Sequence, residues 1–360
     1  MNTLLHNKDG IKLGIRAAIA ITIAFFLGGF IDAGSAIWIP ISTIVVLRLS
    51  VGGTIDRTIS RIAGVGIGFI LCIPFYHYIL MPYGHSVIWI LVWLFIAMVA
   101  VKYSYFWTML FSTLLVLCLI ANYYPNGIAG NTDIHYVLLR FYSVALGAII
   151  GGLSSLLIFP QTSYYPLRQA TAKLFDNIHT YIDDLIQLQN NTEGRNYDFD
   201  KQQQVLITQI TAQNGLLNEL KHEPGRFAKV YAILIQLPVA EQRLLQTLLI
   251  LSHLICDGKL FKDTISAEII EKLQQLSQAS LYLSERMVPH NATIKQESLM
   301  PSLPKPEEYD GLYKAIRATD YRENFEYRQL LQRNALISQL KELAGHIREI
   351  LELVEKVPLK

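Results

Sequence analysis

Apolar residues follow two different rhythms along this chain, and the change comes near Pro160. Before it lie six apolar runs, at residues 11–30, 35–49, 58–80, 87–101, 105–121 and 136–159. About 20 apolar residues are needed to cross the roughly 30 Å of hydrocarbon in a bilayer. The runs therefore predict six membrane-spanning helices, of which the second, fourth and fifth are short. As buried helices of a soluble protein they would leave almost no polar surface for water.

After Pro160 the apolar positions recur every three or four residues. Leu167, Thr171, Leu174, Ile178, Tyr181, Leu185 and Leu188 form one series, and Ile337, Leu340, Ala344, Ile347, Leu351 and Val354 form another. This is the seam of a coiled coil or a helical bundle. Further helices are expected at 199–221, 226–256, 265–287 and 321–356, with Gly194 closing the first amphipathic stretch. Residues 289–310, which contain Pro301, Pro304 and Pro306, read as a loop. The predicted architecture is an all-α membrane protein with a six-span transmembrane domain (1–160) and a cytoplasmic α-helical bundle (161–360).

Charge gives this plan an orientation. Residues 1–160 contain four Asp, no Glu and only Lys8, Lys12, Arg16, Arg48, Arg57, Arg61, Lys102 and Arg140 as bases. Basic residues in short loops stay on the cytoplasmic side. Lys8 and Lys12 precede the first run, Arg48, Arg57 and Arg61 follow the second, Lys102 follows the fourth, and Arg168 and Lys173 follow the sixth. The intervening loops at 31–34, 81–86 and 122–135 have no Lys or Arg. Both termini are thus expected in the cytoplasm, with the first run kept as a span rather than removed as a signal.

The six runs also divide into two weakly similar triplets. Ser42-Thr43-Ile44-Val45-Val46 follows Trp38 in the second run, and Ser112-Thr113-Leu114-Leu115-Val116 follows Trp107 in the fifth. Arg61 precedes Gly68 by the interval at which Arg140 precedes Gly147; the longer outer loop around Tyr124, Pro125 and Gly127 absorbs the change in offset. Three crossings per unit force the second copy upside down, which gives a 3+3 inverted repeat, and such repeats set binding sites where their short helices meet. Small residues four apart (Gly10, Gly14 and Ala18; Gly64 and Gly68; Gly147 and Gly151) predict faces on which helix backbones approach closely.

Arg16, Arg61 and Arg140 each fall about one turn inside a run, where an ionisable group is costly and faces a bundle interior, a watery cavity or the headgroups. Each taken alone is also consistent with a stem that snorkels to the interface. Together, with almost no acid in the same region, they predict an electropositive pathway, because a guanidinium binds a carboxylate through two parallel hydrogen bonds. The candidate anion-pathway residues are Arg16, Arg57, Arg61, Arg140, Trp38, Trp107, Thr43 and Thr113. Trp38, Trp93, Phe106 and Trp107 could stack on a planar ligand or serve as an interfacial belt.

Asp32, Asp56, His77, His85 and His135 are read as solvated loop groups. Cys72, Cys118 and Cys256 have no metal-ligand spacing and are read as packing residues. His179, His253 and His346 are likewise read as surface or core residues. No nucleotide-binding loop, catalytic constellation, metal site or cofactor is predicted, and no nucleic-acid partner.

The stretch WIPISTIVVLRLSVGGTIDRTISRIAGVGIG, residues 38–68, resembles the fusaric acid resistance protein-like family, also called aromatic acid exporters. The resemblance covers residues 10–160 and rests on the aromatic, Pro and Ser/Thr-rich second run, on Arg57 through Gly64 and Gly68, and on the last run from Arg140 to Phe159-Pro160. Plant aluminium-activated malate transporters are more distantly similar. The resemblance implies efflux or channel-like passage of organic anions, typically aromatic carboxylates, through the inner membrane, by a protein that is not an enzyme. Family members often carry two membrane modules, so a homodimer is implied here, and a periplasmic adaptor protein is a candidate partner. Arg61, Gly64 and Gly68 carry over most directly, then Arg140. The alternative function is a membrane-anchored scaffold or sensor that acts through its cytoplasmic helices.

Overall fold

The computed structural model describes residues 2–30, 37–80, 87–123, 133–189, 199–223, 227–257, 264–288, 302–323 and 327–357. Asp32, His85, the base-free outer loops at 31–34 and 81–86, Tyr124, Pro125, Gly127 and Gly194 lie outside them, as do the side chains of His135 and Cys256. The chain divides into two compact units, Met1–Ser163 with His222–Pro224, and Tyr164–Lys221 with Gly225–Lys360. All regular structure among the described residues is helical.

The first unit contains α1 (Asn2–Gly28), α2 (Trp38–Val46), α3 (Val51–Phe75), α4 (Val87–Ala100), α5 (Tyr105–Tyr123) and α6 (Asp133–Leu157). Among the described residues three segments are long and apolar enough to cross a membrane: Asp9–Gly28, Val51–Ile79 and Leu138–Leu157. The apolar helices Val87–Ala100 and Tyr105–Ile120 are shorter. Helix α2 has nine residues and at 1.5 Å per residue is about 14 Å long.

Helix α3 begins seven residues before the expected start at Thr58. Ser50 is extended and caps it, its hydroxyl accepting from Gly53 N at 3.1 Å, while the Thr54 hydroxyl donates back to Ser50 O at 2.9 Å. Asp56, expected as a solvated loop group, and Arg57, expected between the second and third runs, are both helical. At the other end Pro74 has no N–H to continue the ladder, and a π-helical turn, Tyr76–Leu80, follows it.

Glycine decides how closely these helices approach. A Cβ on Gly147 of α6 would lie 2.2 Å from Ile39 O and 2.8 Å from the Ser42 Cβ of α2, and one on Gly151 would lie 2.4 Å from Val46 Cγ2. On α3, a Cβ at Gly64 would lie 2.7 Å from Phe106 O, and one at Gly68 would lie 2.9 Å from Leu110 O and from the Thr113 Cβ of α5. No side chain fits at these positions without moving a neighbouring helix. The stripe of Gly10, Gly14 and Ala18 does not pack in this way. Gly10 and Gly14 have nothing within 4 Å, because α1 turns its Arg16, Ala20 and Ala24 side inward instead.

The second unit contains α7 (Tyr164–Gln189), α8 (Phe199–Leu220), α9 (Phe227–Leu234), α10 (Leu237–Asp257), α11 (Thr264–Met287), α12 (Pro306–Glu323) and α13 (Tyr327–Glu355). Its core is aliphatic. The α7 series from Leu167 to Leu185 and the α13 series from Ile337 to Val354 are buried; α7 packs on α8 and α11, and α13 on α10. Both seams are therefore filled by helices of the same chain.

Proline accounts for two departures from expectation in this unit. The helix expected over 226–256 is broken at Ile235-Gln236, and Pro238 sits in the first turn of α10, where its missing N–H costs nothing. Pro306 opens α12 instead of lying in a loop: Glu307 and Glu308 follow in the first turn, and Glu308 Oε1 accepts from Lys305 N at 3.0 Å. One carboxyl lies in the core. The Gln213 amide donates to Glu241 Oε2 at 2.5 Å and accepts from the Thr171 hydroxyl at 3.2 Å. Burial pushes the Glu241 carboxyl up to about 8.

Candidate functional site

The short helix α2 and the three residues beyond its end collect the candidate arginines. Trp38, Ser42 and Val45 are spaced by four and three residues, which places them on one side of the helix at successive turns. The Arg140 guanidinium of α6 lies over the Trp38 ring, 4.3 Å from its centroid. One turn on, Arg61 of α3 donates from Nε to Ser42 Oγ at 2.8 Å. In the last turn Arg57 donates to Val45 O at 3.1 Å, where the carbonyl end of the helix dipole favours a cation. Beyond α2, Arg16 of α1 reaches the carbonyls of Arg48 and Leu49 at 3.2 and 3.3 Å. Four guanidinium groups thus contact one 12-residue segment at intervals of about a turn.

The four differ in what else they hold. Arg16 is fully buried and also donates to Ile158 O at 2.9 Å and to Phe159 O. Those carbonyls lie where α6 ends, at a left-handed Phe159 with φ 48°, a conformation unusual for a bulky residue. Arg16 therefore ties α1, the α2–α3 turn and the end of α6 together. Its bonds go to backbone acceptors, so it is built as a clamp.

Arg61, which is 7% exposed, is held differently. Besides Ser42, its Nη1 donates to the Tyr105 hydroxyl at 2.7 Å and to the weak acceptor Met109 Sδ at 3.2 Å. All three acceptors are neutral side chains. Taking a guanidinium out of water costs several kcal/mol when no opposite charge compensates it, so this position favours an anion. The Arg57 guanidinium lies 5.1 Å from the centre of the Tyr105 ring, so Tyr105 joins Arg57 and Arg61 into one cluster.

Three other candidates have packing positions. The Thr43 hydroxyl lies 2.9 Å from Gly147 O and 3.0 Å from Ile39 O, bridging α2 to α6. The Thr113 hydroxyl donates to Met109 O at 2.8 Å, and its Cβ faces Gly68. Trp107 is turned outward and stacks on Phe111 at 6.0 Å, apart from the arginines. Ser42, Tyr105 and Met109 belong to the cluster and were not singled out in the sequence. Ser42 could have been, since it adjoins Thr43 in the repeated Ser-Thr motif.

The remaining polar and sulfur groups of the unit stand elsewhere. Asp56 is half exposed on α3, and His77 lies edge-on to Tyr76 in the π turn. Cys72 and Cys118 are buried in an apolar cluster with Leu114 and Leu117. A cavity of about 370 Å³ is lined by Leu71, Pro74, Phe75, Tyr78, Ile79, Trp93 and Leu114. It has no charged wall, and none of the four arginines lines it. Among the described residues no group of three or more His, Cys, Asp or Glu could hold a metal ion.

No curated protein matches the chain. A family model described as fusaric acid resistance protein-like matches residues 19–154, which take in the last third of α1, all of α2 to α5 and most of α6. This is a family of transport- and efflux-related membrane proteins rather than enzymes, and the long apolar helices fit a membrane protein. Residues 19–154, which include Arg57, Arg61 and Arg140, are accordingly similar to the fusaric acid resistance protein-like family.

Proposed function

We propose that the first unit passes organic anions, aromatic carboxylates among them, across the membrane along the guanidinium ladder of α2. The observation that carries this reading is the arrangement of Arg140, Arg61 and Arg57 at successive turns of one short helix, with Arg61 bonded, among the described residues, to neutral side chains. A series of cationic positions attracts an anion and offers it a next partner as it leaves the last. Trp38 and Tyr105 add aromatic faces beside the charges. In this reading Arg16 is the clamp that fixes the ladder, and Trp107, Thr43 and Thr113 serve packing.

The same reading orients α1 to α6 as six spans with both termini and the second unit in the cytoplasm, in an inner membrane. The alternation of basic and base-free loops supports that orientation. Paired contacts support an inverted repeat. Gly147 meets Ile39 O and Ser42, while Gly68 meets Leu110 O and Thr113; Arg140 meets Trp38, while Arg61 meets Met109. Each triplet thus packs its short helix on the Arg-and-Gly helix of the other. The contact register matches Ser42 to Thr113, one residue from the match that sequence similarity suggests. A homodimer would supply the second module that relatives carry in one chain, and a periplasmic adaptor could extend the path outward.

The test is flux through the full chain reconstituted in liposomes, against a panel of anionic, cationic and neutral solutes. Membrane potential and pH gradient are varied separately, because the membrane half offers few acids to relay a coupling proton. Saturable movement of benzoate or a dicarboxylate, and not of matched cations, is expected. Equal movement of cations and anions would remove the ladder's role.

A further inference from the structure

We infer that Tyr105 sets the anion affinity of Arg61 by occupying the guanidinium donor that an entering anion would use. This rests on the anion-passage reading above and assigns a role to a residue with no obvious charge or catalytic chemistry. Tyr105 is the first residue of α5 and is only partly buried. Its hydroxyl accepts from Arg61 Nη1 at 2.7 Å, and its ring lies beside the Arg57 guanidinium, 5.1 Å from the centroid. The side chain therefore links a buried guanidinium, Arg61, to a more exposed one, Arg57.

The chemistry makes this contact replaceable. A phenol oxygen is a neutral acceptor, whereas a carboxylate forms charge-assisted bonds to guanidinium that are shorter and about twice as strong. An anion that reaches Arg57 first can displace the Tyr105 hydroxyl from Arg61. Until it does so, the hydroxyl satisfies a buried donor that would otherwise be costly to leave unmade. Tyr105 sits at a helix end, so its side chain can swing without breaking the α3–α5 contact at Gly64 and Gly68. In this account the tyrosine competes with the substrate, and Arg61 Nε stays on Ser42 throughout.

A competing residue and a binding residue predict opposite signs. Benzoate flux is measured in proteoliposomes holding the full chain, for the wild type, Tyr105→Phe, Tyr105→Leu and Arg61→Gln, each first matched for elution profile and thermal midpoint. Tyr105→Phe keeps the ring and removes only the hydroxyl. It is expected to lower the half-saturating benzoate concentration about fivefold, with the maximal rate unchanged or higher. Tyr105→Leu should act in the same direction. An unchanged half-saturating concentration in Tyr105→Phe would overturn the inference, and a raised one would make the hydroxyl an anion ligand instead, overturning it equally. If the wild type and Arg61→Gln alike move no benzoate and no other anion, the passage reading itself fails.

Discussion

A Cβ placed on Gly147 would lie 2.2 Å from a backbone oxygen of another helix, whereas one placed on Gly345 of α13 meets nothing within 4 Å. The same contrast runs through both units. In the first, the helix contacts at Gly64, Gly68, Gly147 and Gly151 bring backbone against backbone, and its largest fully buried side chain is Arg16. In the second, Gly215, Gly311 and Gly345 are open and the core is filled mainly by Leu and Ile, with Arg333 and Glu241 buried among them. Lipid tails are as apolar as Leu, so greasy side chains give helices in a membrane little reason to associate. Close backbone approach and polar bonds do that work. In water, burial of Leu and Ile is the main drive.

That comparison can be broken most sharply at Gly147. Gly147→Val forces α6 away from α2, separating Arg140 from Trp38, and should cost about 3 kcal/mol or more, the upper range for overpacking. Size-exclusion profile and thermal midpoint in detergent would report it; an unchanged midpoint would mean that α2 and α6 are not in tight contact.

A second effect belongs to the other unit. Glu241 is neutral in the fold up to about pH 8, against an ordinary value of 4.5. Its carboxyl binds a proton more tightly folded than unfolded, so its contribution to the stability of the second unit is fully present below pH 4.5. That contribution is lost as pH rises from 4.5 to 8, by on the order of 5 kcal/mol in all. Amide protection of α8 and α10 in the full chain, corrected for intrinsic exchange, should decline over that window. Glu241→Gln should flatten the decline; an equal slope in the variant would place its cause elsewhere.

The smallest effect is a gain. Gly345→Ala adds a methyl group into open space and removes helix-interior glycine, so α13 should be stabilised by roughly 0.5–1 kcal/mol. Hydrogen exchange of α13 peptides would show it, and a loss there would mean that Gly345 faces a neighbour after all.

What could be read from the sequence was what recurs within a few residues. The α7 and α13 series needed only a spacing of three and four, and Arg61 with Gly68 stood out because Arg140 and Gly147 repeat the interval. What could not be read was convergence. Arg16 bonds to Phe159, 143 residues away, and Arg140 meets Trp38 across the intervening helices, so no local pattern announces that four arginines share one segment. Tyr105 was missed because an aromatic residue at the head of an apolar run resembles an interfacial belt. Pro306 reads as a loop residue because a proline that opens a helix looks the same in sequence as one that prevents it.

The central claim is that cations ranged along α2 select for anions, and ion selectivity across a bilayer measures it directly. The reversal potential of the full chain under a benzoate gradient is compared for the wild type and Arg61→Glu, with both variants matched for thermal midpoint. The account predicts anion selectivity in the wild type and its loss or inversion when the charge at position 61 is reversed. A selective wild type whose reversal potential is untouched by Arg61→Glu would contradict it.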